Sequence, residues 1–159
     1  MATIVINSEI VVNLDLSPAE SAIEKFLEDP NSVKTSEGLR FSINYPLEPS
    51  DPRELSEIPE IRLWFIRLDA RYPWLPVLLD WKAGELARYV AMLVPHEFNR
   101  TQGILYNPEA LEIFVMGKIF AIALWLQERG LPSKSQLTSM VQLLGYDIDE
   151  KLFDKLQKN

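Results

Sequence analysis

The chain of 159 residues has no cysteine and one histidine, His96. Without thiols it cannot form a disulfide, a thiolate nucleophile, or a Cys-ligated zinc or iron–sulfur site. A single His falls short of the set of three protein ligands that zinc usually requires, and no acidic loop has calcium-ligand spacing. His96, in VPHEF, is therefore expected to be solvated or locally hydrogen-bonded. G-x-G-x-x-G, P-loop and G-x-S-x-G signatures are also missing. No catalytic, cofactor-binding or metal-ligating residue is assigned.

Positive charge is scarce as well. The net charge is −7, and residues 1–50 carry eight acids against three bases. An acidic chain without a basic run is poorly suited to grip phosphate backbones, so nucleic acid is not an expected partner. The most apolar run, Ile113–Leu126, is interrupted by Lys118 and is shorter than the roughly 20 residues of a membrane span. It is expected to be a buried core helix. Met1 leads into a β-like stretch, with no targeting segment expected.

What is present predicts one α+β domain over residues 1–159, dominated by helices. A small N-terminal antiparallel sheet is expected from Thr3–Ile6, Glu9–Leu14 and the alternating stretch Leu39–Tyr45. Ser17, Pro18 and Glu20 read as the cap, first residue and capping-box partner of a helix that ends at Asp29-Pro30. Residues 31–38 form a polar loop. Pro59 opens a second helix with Ile61, Phe65, Leu68 and Tyr72 on one face, although the run IRLWFIRL also suits a strand. Asp80 is placed as N-cap of a helix from Trp81 to about Leu93, and Pro95–Gly103 as a polar loop. Asn107 and Pro108 start the longest helix and Gly130 stops it; its apolar residues run nearly all round, which makes it the central buried element. Ser133 with Gln136, and Asp147 or Asp149, start two short helices.

Residues 51–100 hold three of the four tryptophans, six of the eight arginines and one of the eight lysines. Arginine pairs bidentately with carboxylates and stacks on rings, so this is an ordered, densely paired region. Two readings stay open. Arg62, Arg67 and Arg71 could pair with Asp69, Asp80 and Glu60 and pack on Trp64, Trp74 and Trp81, tying helices together. Alternatively the cluster forms a protein-binding face, since Trp, Tyr and Arg dominate interface hot spots. The residues singled out for partner contact, or for supporting the contact face, are Asp51, Pro52, Arg53, Glu54, Trp64, Arg67, Asp69, Arg71, Tyr72, Trp74, Trp81, Glu85, Arg88 and Tyr89.

The runs DPRELSEIPEIRLWFIRLDARYPWLP, LLDWKAGELARYVAMLVPH and YNPEALEIFVM resemble the chlororespiratory reduction six family of cyanobacteria and chloroplasts. The resemblance extends from LDLSP to FVMGK and is densest over residues 51–116. It implies a non-catalytic, chaperone-like assembly factor for the photosynthetic NAD(P)H dehydrogenase-like complex of cyclic electron flow. It further implies that the partner is the complex's ferredoxin-like iron–sulfur subunit, and that the protein is cytoplasmic and visits the thylakoid surface. A chain without cysteine would then act by holding or docking rather than by carrying a cluster. The alternatives are a small-molecule binder or enzyme with an arginine-lined pocket, and a permanent peripheral subunit of the complex.

Overall fold

Leu39 and Phe41 alternate with polar neighbours in β2 (Leu39–Asn44), which lies beside β1 (Ala2–Asn7) in a computed structural model describing residues 2–34 and 38–157. The two strands are parallel, with Ala2 opposite Leu39 and Asn7 opposite Asn44. The expected N-terminal antiparallel sheet is thus replaced by a parallel pair. The stretch expected as a strand over Glu9–Leu14 is instead mostly a helix, α1 (Ser8–Val12), because the Asn7 side chain accepts a hydrogen bond from the Ile10 N–H at 2.9 Å and starts a turn there. This local cap outweighs the β preference of Ile10, Val11 and Val12. The described chain is α+β and dominated by helices, and it divides into two compact units, Met1–Tyr106 and Asn107–Asn159.

In the first unit α1 ends with Leu14 in the left-handed region at φ 50°. The N–H groups of Leu14 and Asp15 return to the carbonyls of Val11 and Ile10, the pattern of a Schellman ending with leucine in the usual glycine position. Helix α2 (Ser17–Leu27) follows with Pro18 in its first turn and Ala19 and Ile23 buried. Ser17 is not its cap. Both its N–H and its hydroxyl donate to the Asp15 carboxylate, at 3.0 and 2.6 Å, and these bonds hold the Asp15 carboxyl below the ordinary carboxylate range.

Ser32–Lys34 forms one 3₁₀ turn; the remainder of the loop predicted over 31–38 lies largely outside the described residues. Helix α3 (Pro59–Arg71) buries Ile61, Trp64, Phe65 and Leu68, which decides against the strand reading. A 3₁₀ turn at Leu75–Leu78 leads to α4 (Glu85–Leu93). This helix begins four residues after the predicted start. Asp80 instead accepts from the Ala83 N–H at 3.1 Å and closes a turn that ends at Gly84, whose φ of 78° suits glycine. The stretch predicted as a polar loop after α4 contains a strand, β3 (His96–Asn99), paired antiparallel with β4 (Gly103–Tyr106). Asn99 turns the chain by accepting from the N–H groups of Thr101 and Gln102.

The core of this unit is an aromatic cluster. Phe41 and Phe65 lie 4.9 Å apart, Trp64 and Phe65 5.0 Å, and Phe65 and Tyr89 6.0 Å, each pair edge-to-face. Such pairs add about 0.5–1.5 kcal/mol beyond area burial.

The second unit starts with α5 (Pro108–Glu128), where Asn107 accepts from the Ala110 N–H at 3.0 Å as predicted. It ends in a Schellman motif: Gly130 has φ 67°, and the N–H groups of Leu131 and Gly130 return to Leu126 and Gln127. Burial is one-sided rather than complete, with Val115, Ile119, Ile122 and Leu126 inside and Ile113, Met116, Phe120 and Leu124 exposed. Helix α6 (Lys134–Leu143) packs on α5. Helix α7 (Glu150–Gln157) is joined by the Lys134–Glu150 ion pair at 3.3 Å and by Gln127, which donates to the Leu156 carbonyl at 3.1 Å. Asp149 starts α7 by accepting from the Lys151 N–H.

Candidate protein-binding face

The residues singled out between Asp51 and Tyr89 separate into a buried scaffold and an outward face. Trp64 belongs to the scaffold: it is fully buried, and its indole N–H donates to the Asp15 carbonyl at 2.8 Å. Tyr89 is buried too and donates its hydroxyl to Asp69 at 2.9 Å, joining α4 to α3. Burial, then the Asp69 carboxylate beside it, pushes the Tyr89 phenol well above its ordinary value. A group raised in the folded state favours folding fully below the unfolded value of 10.0. That contribution is lost as pH rises through the folded value.

Glu85 is buried because it serves the sheet. Its carboxylate accepts the Phe41 N–H at 3.3 Å, while Arg88, 3.5 Å from Glu85, donates to the Phe41 carbonyl at 3.1 Å. The ion pair thereby satisfies both backbone groups of one residue on the β2 edge, as a neighbouring strand would. Just before it on that edge, Leu39 bridges to Leu79 and accepts from the Asp80 N–H.

Asp80 pairs with Arg40 at 2.8 Å rather than with an arginine of α3. Burial pushes its carboxyl up, but hydrogen bonds from Arg40, Ala83 and Lys82 outweigh burial and hold it below 3.8. The depressed group stabilises the fold above the unfolded value, and this is lost as pH falls through the folded one. Arg40→Ala is expected to cost about 1–2 kcal/mol at neutral pH, below the cost of a fully buried pair because Arg40 is partly solvent-screened. The deficit should shrink in acid, below pH 3.8. Urea titrations of both proteins at neutral and acid pH measure it; an equal deficit at both would remove the ion pair from the account.

The outward side of α3 differs. Leu63 and Ile66, at 44% and 45% exposure, share it with the exposed Arg67 and Ala70 at helical spacing. At its C-terminal end Arg71 pairs with Glu20 at 2.6 Å and lies over the Tyr72 ring, and Tyr72 meets Trp74 edge-to-face at 5.5 Å. Burial raises the Tyr72 phenol, with the Arg71 guanidinium opposing. Both aromatics are only half-buried. Of the singled-out residues Arg67, Arg71, Tyr72 and Trp74 lie along this side or at its end; Leu63 and Ile66 are not among them, because the inner set of Ile61, Phe65 and Leu68 already accounts for the helical period. The signal available was that α3 has apolar residues on two sides.

The other singled-out residues lie apart from this face in role. Arg53 forks onto Asp51 through Nε and Nη2, at 3.0 and 2.8 Å, and holds that carboxyl below its ordinary range. Pro52 is exposed, and Glu54 caps the 3₁₀ turn Leu55–Glu57. Trp81 is half-buried and donates to the Pro76 carbonyl at 2.9 Å. Arg62 donates to the Met92 carbonyl at 3.2 Å, again tying α3 to α4.

A cleft of about 240 Å³ opens between Glu54, Leu55, Ser56, Arg88, Ala91, Met92 and Ile104. Arg88 is its one arginine, and that guanidinium already serves Phe41 and Glu85. His96 accepts or donates at two places, 3.1 Å from Ser56 Oγ and 3.0 Å from the Val94 carbonyl, so it is locally hydrogen-bonded as expected.

Among the described residues, no helix is long and apolar enough to cross a membrane. No solved structure matches the chain. A family model does match, described as chlororespiratory reduction 6, over residues 6–155.

Proposed function

The chain belongs to the chlororespiratory reduction 6 family, and from that premise we propose that it is a non-catalytic chaperone for the ferredoxin-like iron–sulfur subunit of the NAD(P)H dehydrogenase-like complex. The family itself is one of assembly factors, linked to chlororespiratory reduction and to that complex, with protein partners within it. In our reading the protein is cyanobacterial and cytoplasmic, and it meets the complex at the thylakoid surface. It covers the subunit's exposed surface until assembly in the connecting arm is complete, and then leaves. With no cysteine, it offers no thiolate to a cluster, which favours holding over cluster transfer.

The observation that supports a contact surface is the outward side of α3, where Leu63, Ile66 and Arg67 lead to Arg71, Tyr72 and Trp74. Exposed aliphatic side chains beside arginines and half-buried aromatics have the make-up of an interface hot spot. Trp64, Asp69, Glu85, Arg88 and Tyr89 tie α3 and α4 to their neighbours beneath it.

Ile66→Asp combined with Arg67→Glu is expected to reduce capture of the iron–sulfur subunit about tenfold or more, with circular dichroism unchanged. The measurement is a tagged pull-down from a cyanobacterial extract followed by mass spectrometry. Undiminished capture by the folded variant would remove α3 from the interface. Recovery of the whole mature membrane complex by the wild type would instead make the protein a permanent subunit.

A further inference from the structure

We propose that the outer side of α5 docks a partner helix whose apolar stripe is flanked by basic side chains, a surface that stands independently of the assembly role. Ile113, Met116, Phe120 and Leu124 follow one another at intervals of three, four and four residues, and each is between 40% and 74% exposed. Such spacing makes one continuous stripe of about three turns, roughly 16 Å long. Gly117 sits inside it, and a side chain built there would meet nothing within 4 Å, so the helix surface has a shallow notch between Ile113 and Phe120. A stripe with a notch receives another helix by seating a side chain between its ridges.

Charge selects the occupant. The acids of α5, Glu109, Glu112 and Glu128, are all exposed, whereas its lysine, Lys118, is buried with its ammonium 5.4 Å from the Phe114 ring. Arg129 lies beyond the last helical residue, with its guanidinium over the Trp125 ring at 4.4 Å. The stripe therefore presents apolar side chains with acidic flanks.

A second copy fits poorly. Antiparallel pairing of Ile113 with Leu124 would set Glu109 against Glu128, and parallel pairing would set each glutamate against itself. Four side chains also fall well short of the roughly 800 Å² per partner of a standard interface. An anionic membrane surface is disfavoured by the same acids, since interfacial helices carry Lys and Arg on the polar face. A helix with Lys or Arg beside its apolar residues matches both features.

The test uses the full chain and two labelled synthetic helices of about 18 residues, long enough to span the stripe. Both carry leucines at the stripe spacing, with lysines flanking them in one and glutamates in the other, and binding is read by fluorescence anisotropy. The lysine-flanked helix is expected to bind about tenfold more tightly or better, and to weaken at high salt. Phe120→Glu should lower that affinity by about tenfold or more with an unchanged circular dichroism spectrum. Glu109→Lys combined with Glu112→Lys should reverse the preference between the two helices.

Equal binding of the two helices, or affinity insensitive to Phe120→Glu, overturns the proposal. A dimer in analytical ultracentrifugation that Phe120→Glu dissolves would overturn it in favour of a second copy. Co-sedimentation with phosphatidylglycerol vesicles, abolished by the same substitution, would overturn it in favour of a lipid surface.

Discussion

Trp64→Ala is expected to destabilise the protein by about 3–5 kcal/mol, the range for truncating a buried aromatic. For a chain of this size that lowers the melting temperature by roughly 10 °C. The side chain is fully buried and packs edge-to-face on Phe65 and Phe41. Its indole also supplies the N–H that satisfies the Asp15 carbonyl. Trp64→Phe separates the two contributions: it keeps a ring and removes the donor, so a loss near 1 kcal/mol is expected. Thermal unfolding followed by near-ultraviolet circular dichroism measures both. A Trp64→Ala protein with wild-type melting but no partner capture would instead make Trp64 a contact residue, the role its sequence position left open.

Gly38→Ala should cost about 3 kcal/mol, toward the upper end for overpacking. A methyl group at position 38 would stand 2.1 Å from the carbonyl oxygen of Leu78 and 3.1 Å from the Phe26 ring. The ring could move aside. The carbonyl is backbone, in the 3₁₀ turn that sets Leu79 beside Leu39, so the start of β2 or that turn has to shift. The clash is one of space rather than of backbone conformation, which distinguishes Gly38 from Gly84, Gly103, Gly130 and Gly145 with their positive φ. Denaturant titration of Gly38→Ala and Gly84→Ala compares the two causes. A loss at position 38 no greater than at 84 would show that the turn yields easily.

How much was legible in the sequence followed from how local each signal is. Helix α5 carries its own start and stop, Asn107-Pro108 and Gly130, and the side-chain cap and Schellman bonds form as those residues predict. Helix α3 and strand β2 were legible from their periods. The first helix was not, because Ile10, Val11 and Val12 favour a strand and a single bond from the Ile10 N–H to the Asn7 side chain decides otherwise. The start of α4 was misplaced because Asp80 closes a separate turn that ends at Gly84, and its other oxygen serves Arg40, a partner 40 residues away that no local pattern reveals. The β3–β4 hairpin was read as loop since Asn99 and Gly103 are separated by three residues rather than forming a two-residue turn. At the candidate face, the arginines and aromatics stood out by composition. Which of them point inward depended on Asp15, Phe41 and Glu20, all from segments read separately.

The Glu85–Arg88 pair over Phe41 has a consequence for behaviour in a crowded solution. A two-stranded parallel sheet leaves donors and acceptors in a row that a strand from another molecule can extend, and this is how edge strands seed aggregates. Here the backbone of Phe41 is already occupied, on both its N–H and its carbonyl, by two side chains of one helical turn. Because a salt bridge holds those side chains, an incoming strand would have to break an ion pair as well as displace a hydrogen bond. Helix α4 therefore acts as a stopper on that edge at Phe41.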